Sequence, residues 1–244
     1  GRFVGTKENF IVQRYIAQPA LLGGRKFDIR CYVLIAATKP HWVVLFRDGY
    51  VRASLSAYSS DPDTLADRFV HLTNAGVQKK HADYAHRGEE SIRSMADLDV
   101  TLAAQGDAPP GFVTGELRTK LMTISREVFE AASERLLRRK GLFELLGLDF
   151  MLDANLNPWL LEVNSNPALW IHSQTQREVL PSLVADTLDA AVQLNAGART
   201  PGHGSTPLAS APLLASSLES VRAGRFAVLC DEALGPAAMF PPLP

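Results

Sequence analysis

The sequence predicts an α+β fold, an antiparallel sheet flanked by helices and followed by a disordered carboxy-terminal tail. Three observations predict it. Short strand-like runs alternate with Pro- and Gly-punctuated turns, two later segments carry apolar residues at helical spacing, and beyond Ala196 the composition shifts to Gly, Pro, Ser and Ala.

The elements follow in order. "NFIVQRYI" (9–16) and "KFDIRCYVLIAA" (26–37) read as strands separated by the loop "AQPALLGGR", the second beginning amphipathic and ending fully apolar. "HWVVLFRDGYVRASL" reads as a strand, a turn at Asp48-Gly49 and a second strand carrying Arg52, which makes a meander. Residues 61–112 are polar and interrupted by "DAPPG", so short helices and loops are expected. From Thr114, the residues Leu117, Leu121, Ile124, Val128, Ala132 and Leu136 recur at helical spacing, and "ERLLRRK" closes that helix in cations suited to its negative end. A hairpin over 147–169 and an amphipathic helix over 177–194, with Pro181 near its start, complete residues 1–196 as one folded unit. Residues 197–244 read as a linker and tail in which "GRFAVL" (224–229) forms a short docked strand.

Composition bounds the function. The 244 residues are 46% hydrophobic, enough for a substantial core, and a formal net charge of −1 gives no general attraction to nucleic acid or membrane. An anionic partner is therefore met by local basic groups. Cys31 and Cys230 are far apart and fit no metal spacing, which suggests a reducing compartment. No apolar run approaches the roughly 18–20 residues of a membrane span, and "GRFVGTKENF" has no signal-peptide core, so a cytoplasmic location is expected. The chain opens without Met and reads as a fragment.

The hairpin "GLDFMLDANLNPWLLEVNSNPAL" places charges in what is otherwise a buried strand. With the turn at "ANLN", Asp149 and Glu162 oppose one another. Alternation sets Gly147, Asp149 and Met151 on one face with Leu160, Glu162 and Asn164, and Leu148, Phe150, Leu152, Trp159, Leu161 and Val163 on the other. Opposed like charges destabilise a ladder, and a divalent cation removes the conflict: two carboxylates and an amide oxygen are hard ligands suited to Mg2+. Taken alone, the pattern equally describes a hairpin with one wet polar face. "RKFDIR" sets Lys26, Asp28 and Arg30 in a row, which Arg52 extends from a neighbouring strand; a charged cleft and a solvated sheet face with ion pairs both fit. "HLTN" (71–74) adds hydrogen-bonding groups that also suit a turn or helix cap.

Together "VQRYI", "GRKFDIRCYVLIA", "HLTNAGVQKK" and "FELLGLDFMLDANLNPWLLEVNSNPAL" resemble the tubulin tyrosine ligase-like family, in order and over about residues 9–195. The resemblance implies an ATP-grasp fold, incomplete here at its amino-terminal side, where a phosphate-binding lysine and a lid would lie. It implies that Gln13, Tyr15 and Ile16 face adenine, that Lys26, Asp28, Thr73 and Asn74 line the nucleotide cleft, and that Arg30 and Arg52 face the amino-acid carboxylate and transferred phosphate. It also implies that Asp149, Glu162 and Asn164 hold magnesium. The implied reaction uses ATP and Mg2+ to activate a glutamate of tubulin or another acidic protein as an acylphosphate, which the amine of a free amino acid attacks. The cytoskeleton, including cilium or axoneme, is the implied location. "LLEVNSNPAL" and the tail "RAGRFAVLCDEA" are most similar to the polyglycylase branch numbered ten, which implies glycine. Glutamate or tyrosine ligation is a rival within the same chemistry. A non-catalytic module that holds acidic tails through Arg14, Arg135, Arg138, Arg139 and Lys140 is a rival of another class; a solvated helix end also accounts for the 138–140 run.

Overall fold

The computed structural model describes residues 12–195, 225–235 and 239. Its seven strands form one antiparallel sheet: β1 (Leu21–Leu22), β2 (Arg25–Ala37), β3 (Val43–Ala53), β4 (Ile92–Ser94), β5 (Glu144–Leu152), β6 (Pro158–Asn164) and β7 (Ala227–Asp231). The order is β4-β3-β2-β5-β6, with β1 on β2 and β7 on β3. Among the described residues six α-helices accompany it: α1 (Arg68–His71), α2 (Ala75–Gln78), α3 (Tyr84–Arg87), α4 (Met95–Gln105), α5 (Arg118–Ser133) and α6 (Gln174–Asn195). The α+β expectation holds.

Strand β2 organises the molecule because its two faces have different fates. Phe27, Ile29, Cys31, Val33 and Ile35 point into a core completed by Leu98 and Leu102 of α4 and by Leu121, Met122 and Phe129 of α5. On the other face Tyr32, Leu34 and Ala36 meet Leu180, Leu183, Ala190 and Leu194 of α6. The Lys26–Arg30 end of that second face is ionic, and it is where the cleft opens. Chemistry and core thus share a single strand. Its continuous apolar second half, an expected sign of burial on both sides, is explained by this double cover.

Several expectations are corrected. Residues 12–16 are extended but pair with no strand; 9–11 lie outside the described residues. Asp48-Gly49 is not a hairpin turn: β3 runs through it, and the β2–β3 register shifts between Arg30↔Tyr50 and Tyr32↔Arg47. A Cβ on Gly49 would stand 2.3 Å from the Arg30 carbonyl oxygen, so only glycine allows this bulge to close against β2. Asp48 meanwhile accepts from Arg118 Nε at 2.8 Å, which ties the bulge to the start of α5. The same bulge keeps Tyr50 and Arg52 on the α6 and cleft face.

Helix α5 ends at Ser133, sooner than its sequence period suggests, and opens from a wider π-type turn in which Leu117 N donates to Phe112 O. The basic run beyond it is therefore no helix end. Arg138 instead clamps the β2–β3 connection: it donates to the Thr38 carbonyl at 3.1 Å, pairs with Glu232 and lies 4.9 Å from the Trp42 ring. Within 61–112, strand β4 was not expected, whereas α4 has a full capping box between Ser94 and Asp97.

The expected docked strand forms as β7, from Ala227 to Asp231, pairing with Val43–Phe46 of β3. Both cysteines are free and buried in the core. The linker expected over 197–223 lies outside the described residues. Among the described residues no helix is long and apolar enough to cross a membrane.

Candidate functional site

The β5–β6 ladder places Gly147 opposite Asn164, Leu148 opposite Val163 and Asp149 opposite Glu162, as the hairpin symmetry predicts. Past that point the register slips, and Phe150 pairs with Leu160. Leu161 is the extra residue of a bulge. Consequently Leu160 packs on the core and Leu161 lines the cleft, the reverse of strict alternation, while Trp159 pairs with Met151 and donates to Asp153 at 3.0 Å.

A cleft of about 380 Å³ opens over the ionic half of this face. Ten of the expected residues line it: Gln13, Tyr15, Ile16, Lys26, Asp28, Arg52, Thr73, Asn74, Asp149 and Glu162. They arrive from five separate stretches of chain: the 13–16 segment, β2, β3, the 73–74 loop and the β5–β6 hairpin. Arg30 and Asn164 do not line it but touch Asp149 from beside it. Gln13 is held by donating to the Leu161 carbonyl at 2.9 Å. The loop after α1 is fixed by buried Gln78, which accepts from Leu55 N and donates to the Leu72 carbonyl, so that Thr73 can donate to Asp28 at 2.6 Å.

At the floor, charge is paired from within. Arg30 grips Asp149 with two bonds, 2.5 and 3.1 Å. Arg52 spans both acids, at 2.6 and 2.7 Å from the two oxygens of Asp28 and 2.9 Å from Asp149. Burial alone would raise the Asp149 pKa, yet the Arg30 and Arg52 guanidiniums win and hold it below the usual carboxylate range. The repulsion expected between Asp149 and Glu162 is therefore answered by two arginines of the chain itself. A cation is not needed to keep the floor folded.

Glu162 differs. It is exposed at the cleft, and among the described residues it makes no ion pair; its contact is with Asn164 Nδ2 at 3.3 Å. That amide nitrogen also lies 3.4 Å from Asp149, so Asn164 offers its oxygen to a cation only after a half-turn of the amide. Among the described residues no cluster of three or more His, Cys, Asp or Glu side chains forms a metal cage. Two carboxylates, one of them unpaired and facing the cleft, fit a hard cation that takes the rest of its shell from water and phosphate. Such a site would rest mainly on Glu162.

Lys26 is buried at the cleft wall, its ammonium 4.4 Å from the Tyr15 ring centroid. Burial pulls its pKa down to about 8 against the opposing pull of Asp28. His71, Leu72, Met151 and Leu161 also line the cleft and were not among the expected site residues. His71 stood in the quoted "HLTN", read there as a loop; it ends α1 instead, and nothing in one sequence says that this histidine turns inward.

Residues 3–200 match the family described as the tubulin-tyrosine ligase family. The chain belongs to that family. "Protein polyglycylase TTLL10" of Macaca fascicularis is 41% identical over 187 residues, 75% of this chain and 30% of that protein. "Inactive polyglycylase TTLL10" of Homo sapiens is also 41% identical, over 75% of this chain and 27% of its own. "Probable tubulin polyglutamylase TTLL9" of Bos taurus is 36% identical over 74% of this chain and 38% of its own. The chain thus spans about a third of the curated relatives it matches. The tubulin-tyrosine ligase match covers both the cleft and the ladder beneath it.

Proposed function

We propose that this chain carries the nucleotide- and metal-facing part of an ATP-dependent carboxylate–amine ligase. It would join amino acids, with glycine favoured, to glutamate side chains of tubulin or another acidic protein. What supports this most is the gathering of ten expected residues from five stretches of chain in one cleft. The family match and the polyglycylase relatives support the substrate class. The cytoskeleton, cilium included, is the corresponding place of action.

Each group has work suited to its surroundings. Gln13 and the 15–16 backbone would face adenine, while the Lys26 ammonium supplies a point charge for phosphate at a desolvated wall. Glu162, with Asp149 beside it, would hold Mg2+, which when bound neutralises phosphate charge. Asp28 and Asp149 keep the Arg30 and Arg52 forks rigid, so that Arg52, which lines the cleft, would offer an already oriented guanidinium where an acylphosphate and then a tetrahedral oxyanion form, with Arg30 fixing Asp149 beneath it. No protein nucleophile is required. Cys31 and Cys230 are unsuited to that role, since burial raises the pKa of both thiols.

The experiment is transfer of isotope-labelled glycine, glutamate and tyrosine by the full-length protein to tubulin in the presence of ATP and magnesium. Glycine incorporation on glutamates is the expected outcome. Glutamate incorporation would move the reading to the chemistry named for the TTLL9 relatives. A second reading, binding of acidic tails without turnover, is favoured by the human relative being named inactive. It prevails if a folded, tail-binding protein transfers none of the three.

A further inference from the structure

His71 sits between two fixed partners. Its Nε2 lies 3.0 Å from the Thr64 carbonyl, which can only accept, so Nε2 carries the proton. In that tautomer Nδ1 is bare and accepts from the Tyr15 hydroxyl at 2.8 Å. That hydroxyl, its proton committed, accepts in turn from Lys26 Nζ at 3.2 Å. The chain of donors runs one way, from ammonium to phenol to imidazole to backbone. The rings reinforce it: Tyr15 and Tyr58 both meet His71 edge-on, at 6.0 and 5.9 Å between centroids. Tyr58 also donates to the Ala17 carbonyl, which secures the 12–17 segment to the same cluster.

We propose that Tyr15 and His71 are positioning residues that aim the Lys26 ammonium at the phosphates of a bound nucleotide and couple that aim to the cleft wall formed by residues 13–16. The inference rests on the nucleotide reading above and adds two side-chain roles to it. The physical reason is entropic: a lysine has four rotatable bonds, and its charge serves a bound phosphate best when the head is already fixed. Tyr15 fixes it twice, through the hydroxyl and the ring face. His71 decides the direction, because only a bare Nδ1 turns the phenol proton away from the ammonium. Thr64 holds the tautomer.

The test is a double-substitution cycle on affinity for a non-hydrolysable ATP analogue, measured by calorimetry on the full-length protein with magnesium. Tyr15→Phe should weaken binding about 5- to 10-fold when Lys26 is present and hardly at all in a Lys26→Ala background. Equal weakening in both backgrounds would overturn the proposal, since Tyr15 would then act independently of the lysine. His71→Asn, whose amide oxygen can replace Nδ1 as acceptor, should keep most of the affinity, and His71→Leu should lose as much as Tyr15→Phe. If Asn and Leu behave alike, the acceptor role is wrong.

Should the wild-type protein bind no nucleotide, the proposed function fails, and the wiring is still read without ligand by carbon NMR of the Lys26 side chain. Removing the acceptor in Tyr15→Phe must shift the Lys26 titration to lower pH. An unchanged titration would sink the positioning role by itself.

Discussion

Asp149 and Glu162 face one another across a single ladder, yet they stand in opposite relations to the rest of the protein. Asp149 is buried and gripped by two guanidiniums; Glu162 is exposed and free of ion pairs among the described residues. Removing the buried charge leaves Arg30 and Arg52 underpaired, so Asp149→Asn should cost about 3 kcal/mol, read as a lower melting temperature. Glu162→Gln should stay within about 0.5 kcal/mol of wild type while abolishing magnesium-dependent ATP turnover by the full-length protein. Retained turnover would remove Glu162 from the metal site. Acid titration gives a second check. A carboxyl held below its unfolded value contributes stability that is fully present above the ordinary aspartate range and is lost as pH falls through its folded value. Asp149→Asn should therefore flatten the loss of stability below about pH 4. The opposed carboxylates were legible in the sequence because a hairpin's symmetry pairs residues by number. Their arginine partners were not, since Arg30 and Arg52 reach Asp149 only through a sheet order that no local pattern encodes.

At the scale of elements, the two bulges show why strand alternation read from sequence holds in one stretch and fails in the next. "DG" between apolar runs is a strong hairpin signal, but here Gly49 serves a continuous β3 by letting backbone approach backbone. Its true turn lies earlier, at Thr38–Trp42, where Arg138 binds the Thr38 and Pro40 carbonyls. Leu161 likewise adds one residue to β6 and exchanges the faces of Leu160 and Leu161, while Asp149 and Glu162, on the near side of the slip, keep the expected register. Long periodic segments were read correctly because many residues vote for them, whereas a single bulge residue leaves no periodic trace. Gly49→Ala should destabilise the protein by about 2 kcal/mol or more, since a Cβ would overlap the Arg30 carbonyl and the neighbour to be moved is backbone. Because Arg30 is the residue displaced, nucleotide-dependent activity of the full-length protein should fall with it. Thermal unfolding at near wild-type temperature would show that β3 can shift without cost.

At the scale of the whole molecule, the sheet is closed on one side by a strand that arrives from far along the chain. Strand β7 covers Val43–Phe46 of β3, and it brings Phe226, Leu229 and Cys230 into buried positions on the two core faces. Arg47 stacks over Phe226 at 5.5 Å, and the Arg138–Glu232 pair joins the turn after β7 to the β2–β3 connection. The cleft lies toward the other end of β3, around Arg52, so the tail acts on the fold and not on the chemistry. Truncation after residue 224 should therefore lower the melting temperature strongly, by the equivalent of about 3 kcal/mol or more for the lost Phe and Leu burial. It should also expose the Val43–Phe46 edge, which in an apolar strand is a template for pairing with another chain. The expected result is concentration-dependent association of the truncated protein in light scattering, absent from the intact chain. Deleting residues 200–220 while keeping β7 should change neither property, because the strand still reaches its edge. If the truncated protein stays monomeric and melts like the intact one, β7 contributes nothing to the sheet's stability and its docking has another purpose.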